Sequence, residues 1–175
     1  NSAYLQNVIS VFMILFGINF NAYFLLLTRK FKQLFKIEEI RVYLGVIAVF
    51  TTLIAFNVRG CFGSLRESFH HSLFQVASII TTTGFSTVDF NQWPAFSKLL
   101  LVLLMFIGAC AGSTGGGMKC SRILLLFKGV KKEMMSLIHP RLVRVHKMDG
   151  QRVQHEVMRS VIAFLVAYLI VIATS

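Results

Sequence analysis

Four apolar runs organise the chain, at residues 4–28, 40–58, 99–127 and 161–173, with charged stretches between them. A bilayer core of ~30 Å takes about 20 helical residues, so the first two runs are each long enough to predict a spanning helix. The first closes on Arg29, Lys30, Lys32 and Lys36. The second opens on Glu38 and Glu39, acidic side chains suited to the positive end of a helix dipole. Between residues 59 and 98 the pattern is mixed, with an apolar patch only at 68–80. About 13 residues are too few to cross, and such a patch reads as a buried, interfacial or re-entrant helix. The third run is interrupted by Gly112, Ser113, Thr114, Gly115, Gly116 and Gly117. The fourth is too short to span, there is no Met at Asn1 and no secretory signal. An internal piece of a larger membrane protein is therefore expected.

Composition agrees with the pattern: 55% of the chain is hydrophobic and 14% charged, with 17 Phe, which excludes disorder and argues against a soluble metabolic enzyme. A net charge of +11 would by itself suggest nucleic acid or an anionic membrane. Its placement points elsewhere. Of the 18 Lys and Arg, five fall in 29–41, three in 59–98 and ten in 119–159. Basic loops stay cytoplasmic, so the first and last of these regions lie inside and the middle one outside. That parity holds only if the patch at 68–80 does not cross. Charge and length thus independently predict a re-entrant hairpin between two spans. Cys61, Cys110 and Cys120 have neither zinc nor disulfide spacing.

Ser64 and Glu67 form a capping box, which predicts a helix over 65–80. Residues 81–87, with Thr81, Thr82 and Thr83 before Gly84, favour an extended return strand with one permissive glycine. Such a helix and strand line a pore with backbone carbonyls that replace a cation's water shell, while the helix C-terminus adds partial negative charge. No acidic side chain lies in the strand, so carbonyl and hydroxyl oxygens would hold the ion. The competing reading is a surface turn after an interfacial helix. The flanking spans and the charge parity favour the pore.

In the third run, the glycines fall at membrane depth, where unwound backbone is tolerated only if it is buried in protein or lines a watery cavity. A flexible loop beneath the hairpin, able to block or clear a permeation path, is the functional reading. Lys119 adds a positive charge that would hold cations back. Close helix packing by small residues is the blander alternative. A phosphate-binding loop fits poorly, because Met118 separates Gly117 from Lys119.

Other features are weaker. His70 and His71 are adjacent and cannot share one helical face as a metal pair would. Asn19 and Asn21, costly in lipid, are expected to face the bundle interior. Trp93 and Pro94 look like an interfacial anchor before the third span. Arg141, Arg144, Lys147 and Arg152, with Pro140 and Gly150 as breakers, form a basic linker. A second function class follows from that linker, namely a membrane-anchored module binding anionic lipid, nucleic acid or a protein partner. An enzyme is not expected, since the apolar segments hold no paired carboxylates and no nucleophile with its base.

At Thr82-Thr83-Gly84-Phe85 and across residues 108–119 the sequence resembles the Trk/Ktr superfamily of microbial potassium transporters, specifically the TrkH-type membrane subunit. The likeness extends over essentially the whole chain. It implies an all-α membrane fold of four fused helix, re-entrant pore loop, helix repeats, similar to a potassium channel. Residues 1–28 would close the preceding repeat, and 29–39 would be a cytoplasmic loop. Residues 40–127 would form a complete repeat, with a span at 40–58, a pore helix at 65–80, a filter at 81–87 and a broken span at 99–127. Residues 128–156 would be the basic cytoplasmic linker, and 157–175 the start of the next repeat. The resemblance further implies potassium uptake in a multi-pass protein of the bacterial inner membrane. Thr82, Thr83, Gly84 and Phe85 would supply one quarter of the selectivity filter, with potassium at Thr82, Thr83 and Gly84. The gate would comprise Gly112, Ser113, Thr114, Gly115, Gly116, Gly117 and Lys119. It implies no covalent cofactor and no nucleic-acid partner, but a homodimer and cytoplasmic TrkA-type nucleotide-binding subunits. The chain departs from the family pattern in lacking three filter strands and the second half of the fourth repeat.

Overall fold

A computed structural model describes residues 2–34, 36–138, 147–148, 151–152 and 155–174. The helices are α1 (Ala3–Phe16), α2 (Phe20–Leu27), α3 (Phe31–Leu34), α4 (Glu38–Asn57), α5 (Leu65–Ile80), α6 (Ala95–Phe106), α7 (Cys120–Ile138) and α8 (His155–Thr174). A 3₁₀ turn lies at Phe90–Gln92, and β1 (Lys147–Met148) and β2 (Gln151–Arg152) make a two-residue antiparallel ladder. The fold is otherwise helical.

Its centre is the α4–α5 pair, with α6 packed on both helices and α1 against α5. Tyr43, Ile47, Ile54 and Val58 meet Val76, Ile80, Leu100, Leu101 and Leu104 in one core. Thr51, Ser68, Ser72 and Ser78 are also buried, and their small side chains let the helix backbones come close. Beyond this core α7 carries α8, through Leu125, Met158 and Val161. Arg122 lies over the Phe164 ring at 3.9 Å, a cation–π contact.

The first apolar run is not one helix. It is divided at residues 17–19, and α1 and α2 meet at 93°. Two residues account for the break. A side chain on Gly17 would come within 2.1 Å of the Tyr43 hydroxyl oxygen, so only glycine fits where α4 crosses. Asn19 then caps α2, its Oδ1 accepting from the Asn21 amide at 2.8 Å. The Asn19 oxygen is thus satisfied locally, and Asn21 is exposed on this chain.

The third run is also in two pieces, and its break is longer than the glycine run. Helix α6 ends at Phe106, so residues 107–119 are all non-helical. Part of the stretch read as a basic linker is helical, because α7 continues to Ile138. Pro140, Arg141, Arg144 and Gly150 lie outside the described residues. Trp93 is buried in the core, edge-on to Phe62 at 6.4 Å, and does not stand out at an interface.

Among the described residues α4 alone is long and apolar enough to cross a membrane unaided, and the bent α1–α2 pair passes only when counted as one element. Large apolar side chains are exposed on every helix of the bundle, including Phe12, Phe24, Phe56 and Val102. So much uncovered apolar surface calls for lipid or further apolar protein around it.

Candidate functional site

Helix α5 begins where the capping box predicts, with the Ser64 hydroxyl oxygen accepting from the Glu67 amide at 3.2 Å. It ends at Ile80, and the chain then folds back along its own helix. The amides of Thr82 and Thr83 donate to the carbonyls of Ile79 and Ser78 at 3.0 and 2.9 Å. The Ser78 hydroxyl reaches the Phe85 carbonyl at 2.6 Å. Further up, Ser86 meets Gln75 at 3.4 Å, and Thr87 lies 3.1 Å from His71 Nδ1. The returning segment is therefore stitched to one face of α5 by contacts that retreat through 79, 78, 75 and 71.

This reversal requires unusual backbone. Thr82 and Gly84 both have positive φ, at 57° and 80°. For Gly84 that conformation is easy, whereas a β-branched residue resists it. Thr82 is held by both uses of its hydroxyl, which donates to the Thr81 carbonyl at 2.7 Å and accepts from the Gly116 amide at 2.7 Å. Thr82, Thr83, Gly84 and Phe85 are all exposed. Among the described residues none donates to the carbonyl oxygens of Thr82, Thr83 or Gly84.

The glycine loop lies against the foot of this segment. Its neck is a pair of strand-like arms, in which Gly108 N–H donates to the Met118 carbonyl at 2.7 Å and Cys120 N–H to the Ala109 carbonyl at 3.1 Å. Gly108 is obligatory there, because a Cβ would sit 2.4 Å from the Gly116 carbonyl oxygen. At the tip, Gly115 is wedged between Ala109 and the Thr81 carbonyl, so a side chain there would collide with Ala109 at 2.7 Å. Gly112 and Gly117 have positive φ. The Lys119 ammonium turns back and donates to the Gly115 carbonyl.

Two outside elements hold the loop. The α1–α2 break is one: Cys110 N–H donates to the Gly17 carbonyl at 3.0 Å, Phe20 N–H to the Gly112 carbonyl at 3.0 Å, and Thr114 N–H to the Phe16 carbonyl at 3.4 Å. The other is Glu39, buried at the start of α4, whose Oε1 accepts from the amides of Ala111 at 2.6 Å and Ser121 at 3.0 Å. Beside it Glu38 pairs with Lys128 of α7.

The sequence-derived candidates thus come together. Thr82 touches Gly116, Gly115 sits at Thr81, and Thr81, Thr83, Phe85 and Thr114 line one groove against α1. Ser113 bonds within the loop, to the Cys110 carbonyl at 2.6 Å. Glu39, Gly17 and Ser78 were not singled out for this site. Only Glu39 carried a signal, an acid in an apolar context, and it has a sufficient local explanation in the helix dipole.

Among the described residues no cluster of three or more His, Cys, Asp or Glu side chains could hold a metal. What the site offers a ligand is backbone and hydroxyl oxygen. Midway along α5, His71 stacks on Phe62.

A helical fold with large apolar side chains exposed on every helix fits the class of membrane-embedded proteins. The TrkH family model, described as cation transport protein, matches residues 1–175, and the chain belongs to that family. It is 35% identical over 179 residues to the Trk system potassium uptake protein TrkH of Escherichia coli (strain K12), covering 100% of this chain and 37% of that protein. The Trk system potassium uptake protein TrkG of the same strain is 36% identical over 173 residues, covering 96% and 35%. The crystal structure of the potassium transporter TrkH from Vibrio parahaemolyticus superposes with a TM-score of 0.91 at 33% identity, over 99% of this chain and 38% of that one. The chain thus spans a little over a third of the length of these relatives.

Proposed function

We propose that this chain is the third repeat, with its flanks, of a potassium-conducting subunit of the bacterial inner membrane. In this reading α4 and the broken α6–α7 element are the two spans of the repeat, and α5 with residues 81–87 is a re-entrant pore loop. The carbonyls of Thr82, Thr83, Gly84 and Phe85 form one quarter of a filter, completed by three equivalent segments elsewhere in the protein. Residues 112–119 are the gate, a homodimer is the assembly, and TrkA-type nucleotide-binding subunits dock on the cytoplasmic side.

The observation that carries the reading is the bond from the Gly116 amide to the Thr82 hydroxyl. It sets a glycine-rich loop directly against a segment in which the carbonyls of Thr82, Thr83 and Gly84 have no donor among the described residues, while that of Phe85 accepts from the Ser78 hydroxyl. Carbonyl oxygens in such a row replace the water of a cation without needing a carboxylate. The names of the relatives supply the ion, since both Trk proteins are potassium uptake proteins.

The test is Gly84→Ser in the full-length protein. At a φ of 80° a side chain strains the segment and re-aims the carbonyls. Potassium and sodium fluxes into liposomes are compared, and the preference for potassium is expected to fall by about tenfold, roughly the factor that 1.4 kcal/mol of lost discrimination produces. An unchanged flux ratio overturns the filter assignment.

A further inference from the structure

We propose that Glu39 is a positioning residue that fastens both ends of the glycine loop, so that movement is confined to the residues between Ala111 and Cys120. The proposal deepens, and rests on, the reading of that loop as a gate.

The geometry begins with the helix that follows the loop. The first amides of α7 have no partner within their own helix. A Ser, Thr, Asp or Asn at the N-cap would ordinarily accept from one of them. Here residue 119 is a lysine, which has no acceptor and is turned back onto the Gly115 carbonyl. The missing acceptor comes from another helix: Glu39 Oε1 takes the Ser121 amide at 3.0 Å. The same oxygen takes the Ala111 amide at 2.6 Å, on the opposite arm of the neck. It therefore extends the ladder begun by the two backbone bonds at 108–118 and 109–120.

Three properties suit Glu39 to this role. It is only 3% exposed, so water does not compete for its oxygens. A single oxygen of its side chain serves two amides, so one group joins both arms of the neck. Its own helix is a rigid anchor, as α4 is packed along its length against α5 and α6. Between these anchors Gly112 and Thr114 bond the α1–α2 bend, through the Phe20 amide and the Phe16 carbonyl, whereas Gly115 and Gly116 at the tip are held by single contacts to Lys119 and Thr82. The firm attachments sit at the ends and the releasable ones at the tip.

The experiment uses the full-length protein in liposomes, as wild type, Glu39→Gln, Glu39→Ala, a deletion of residues 115–117, and the deletion combined with Glu39→Ala. Basal potassium flux per folded protein and hydrogen exchange of the Ala111 and Ser121 amides are measured. In Glu39→Ala both amides are expected to exchange about tenfold faster or more, as for a lost charge-assisted bond, and basal flux is expected to rise. Glu39→Gln, which keeps an oxygen but not the charge, falls between. The deletion raises basal flux, and adding Glu39→Ala raises it no further.

If the deletion raises flux while Glu39→Ala changes neither flux nor exchange, the Glu39 role is overturned and the gate stands. If the deletion leaves flux low, the gate reading falls, and exchange at the two amides alone decides whether Glu39 fastens the loop. Faster exchange spread through all of α4 and α7 assigns Glu39 to general stability and overturns the proposal. Should Glu39→Ala fail to fold, Glu39→Gln decides by the same two measurements, and wild-type values in both overturn it.

Discussion

At the scale of single residues, Gly17 and Tyr43 show how one missing side chain shapes the site. Tyr43 is fully buried, and its hydroxyl donates to the Ile14 carbonyl at 3.2 Å, just before the chain turns. Gly17 leaves room for that ring. In Gly17→Ala the new methyl would meet the hydroxyl oxygen at 2.1 Å and the ring carbon bearing it at 2.8 Å. Overpacking of this kind costs about 1–3 kcal/mol, so a lower melting temperature in detergent is expected. Adding Tyr43→Phe removes the nearer clash and should recover part of the loss. A double variant no more stable than Gly17→Ala alone would contradict this account. Thr82 makes the opposite point, since a β-branched residue at a φ of 57° is held in place by bonds to a loop distant in sequence.

At the scale of elements, α5 was legible because its start is signalled locally. Ser64 and Glu67 lie three residues apart, and the Ser64 hydroxyl oxygen accepts from the Glu67 amide. Ser64→Ala removes the cap and is expected to cost about 1 kcal/mol, read as a lower melting temperature, while Ser64→Asp keeps the acceptor and should not. The breaks in the first and third runs were less legible, for a physical reason. The sequence around Gly17 stays apolar through the bend, so hydrophobic pattern alone reads as continuous helix. Ile107 to Ala111 is likewise apolar, yet these residues form one arm of the neck because Met118 and Cys120 supply their partners. The glycine run marked the presence of a break but not its extent. Glu39 was visible as an acid beside a helix start, whereas its partners lie 72 and 82 residues further along the chain. No local pattern encodes a contact of that kind.

For the whole molecule, charge placement makes a prediction that the native cysteines can test. Cys61 is exposed just beyond the end of α4, in the region with only three basic residues, while Cys110 and Cys120 are buried in the neck of the loop. In intact cells a membrane-impermeant maleimide is expected to label Cys61 from outside. With Cys61→Ser, a cysteine introduced as Lys32→Cys should react only after permeabilisation. The reverse pattern would overturn the orientation assigned by the basic loops.

The bend between α1 and α2 also bears on biosynthesis. Its free backbone groups are met by the glycine loop, and the Thr114 side chain that reaches the Phe16 carbonyl is 98 residues further along. During synthesis residues 16–20 are made long before their partners in the loop. In a bilayer those groups must be satisfied by the chain itself, and until residue 114 has arrived only an unbroken helix can do so. If residues 4–28 enter a bilayer, as proposed above, a straight helix is the form expected first. The bent form becomes available when the loop reaches it, so the first helix is completed by the third apolar run.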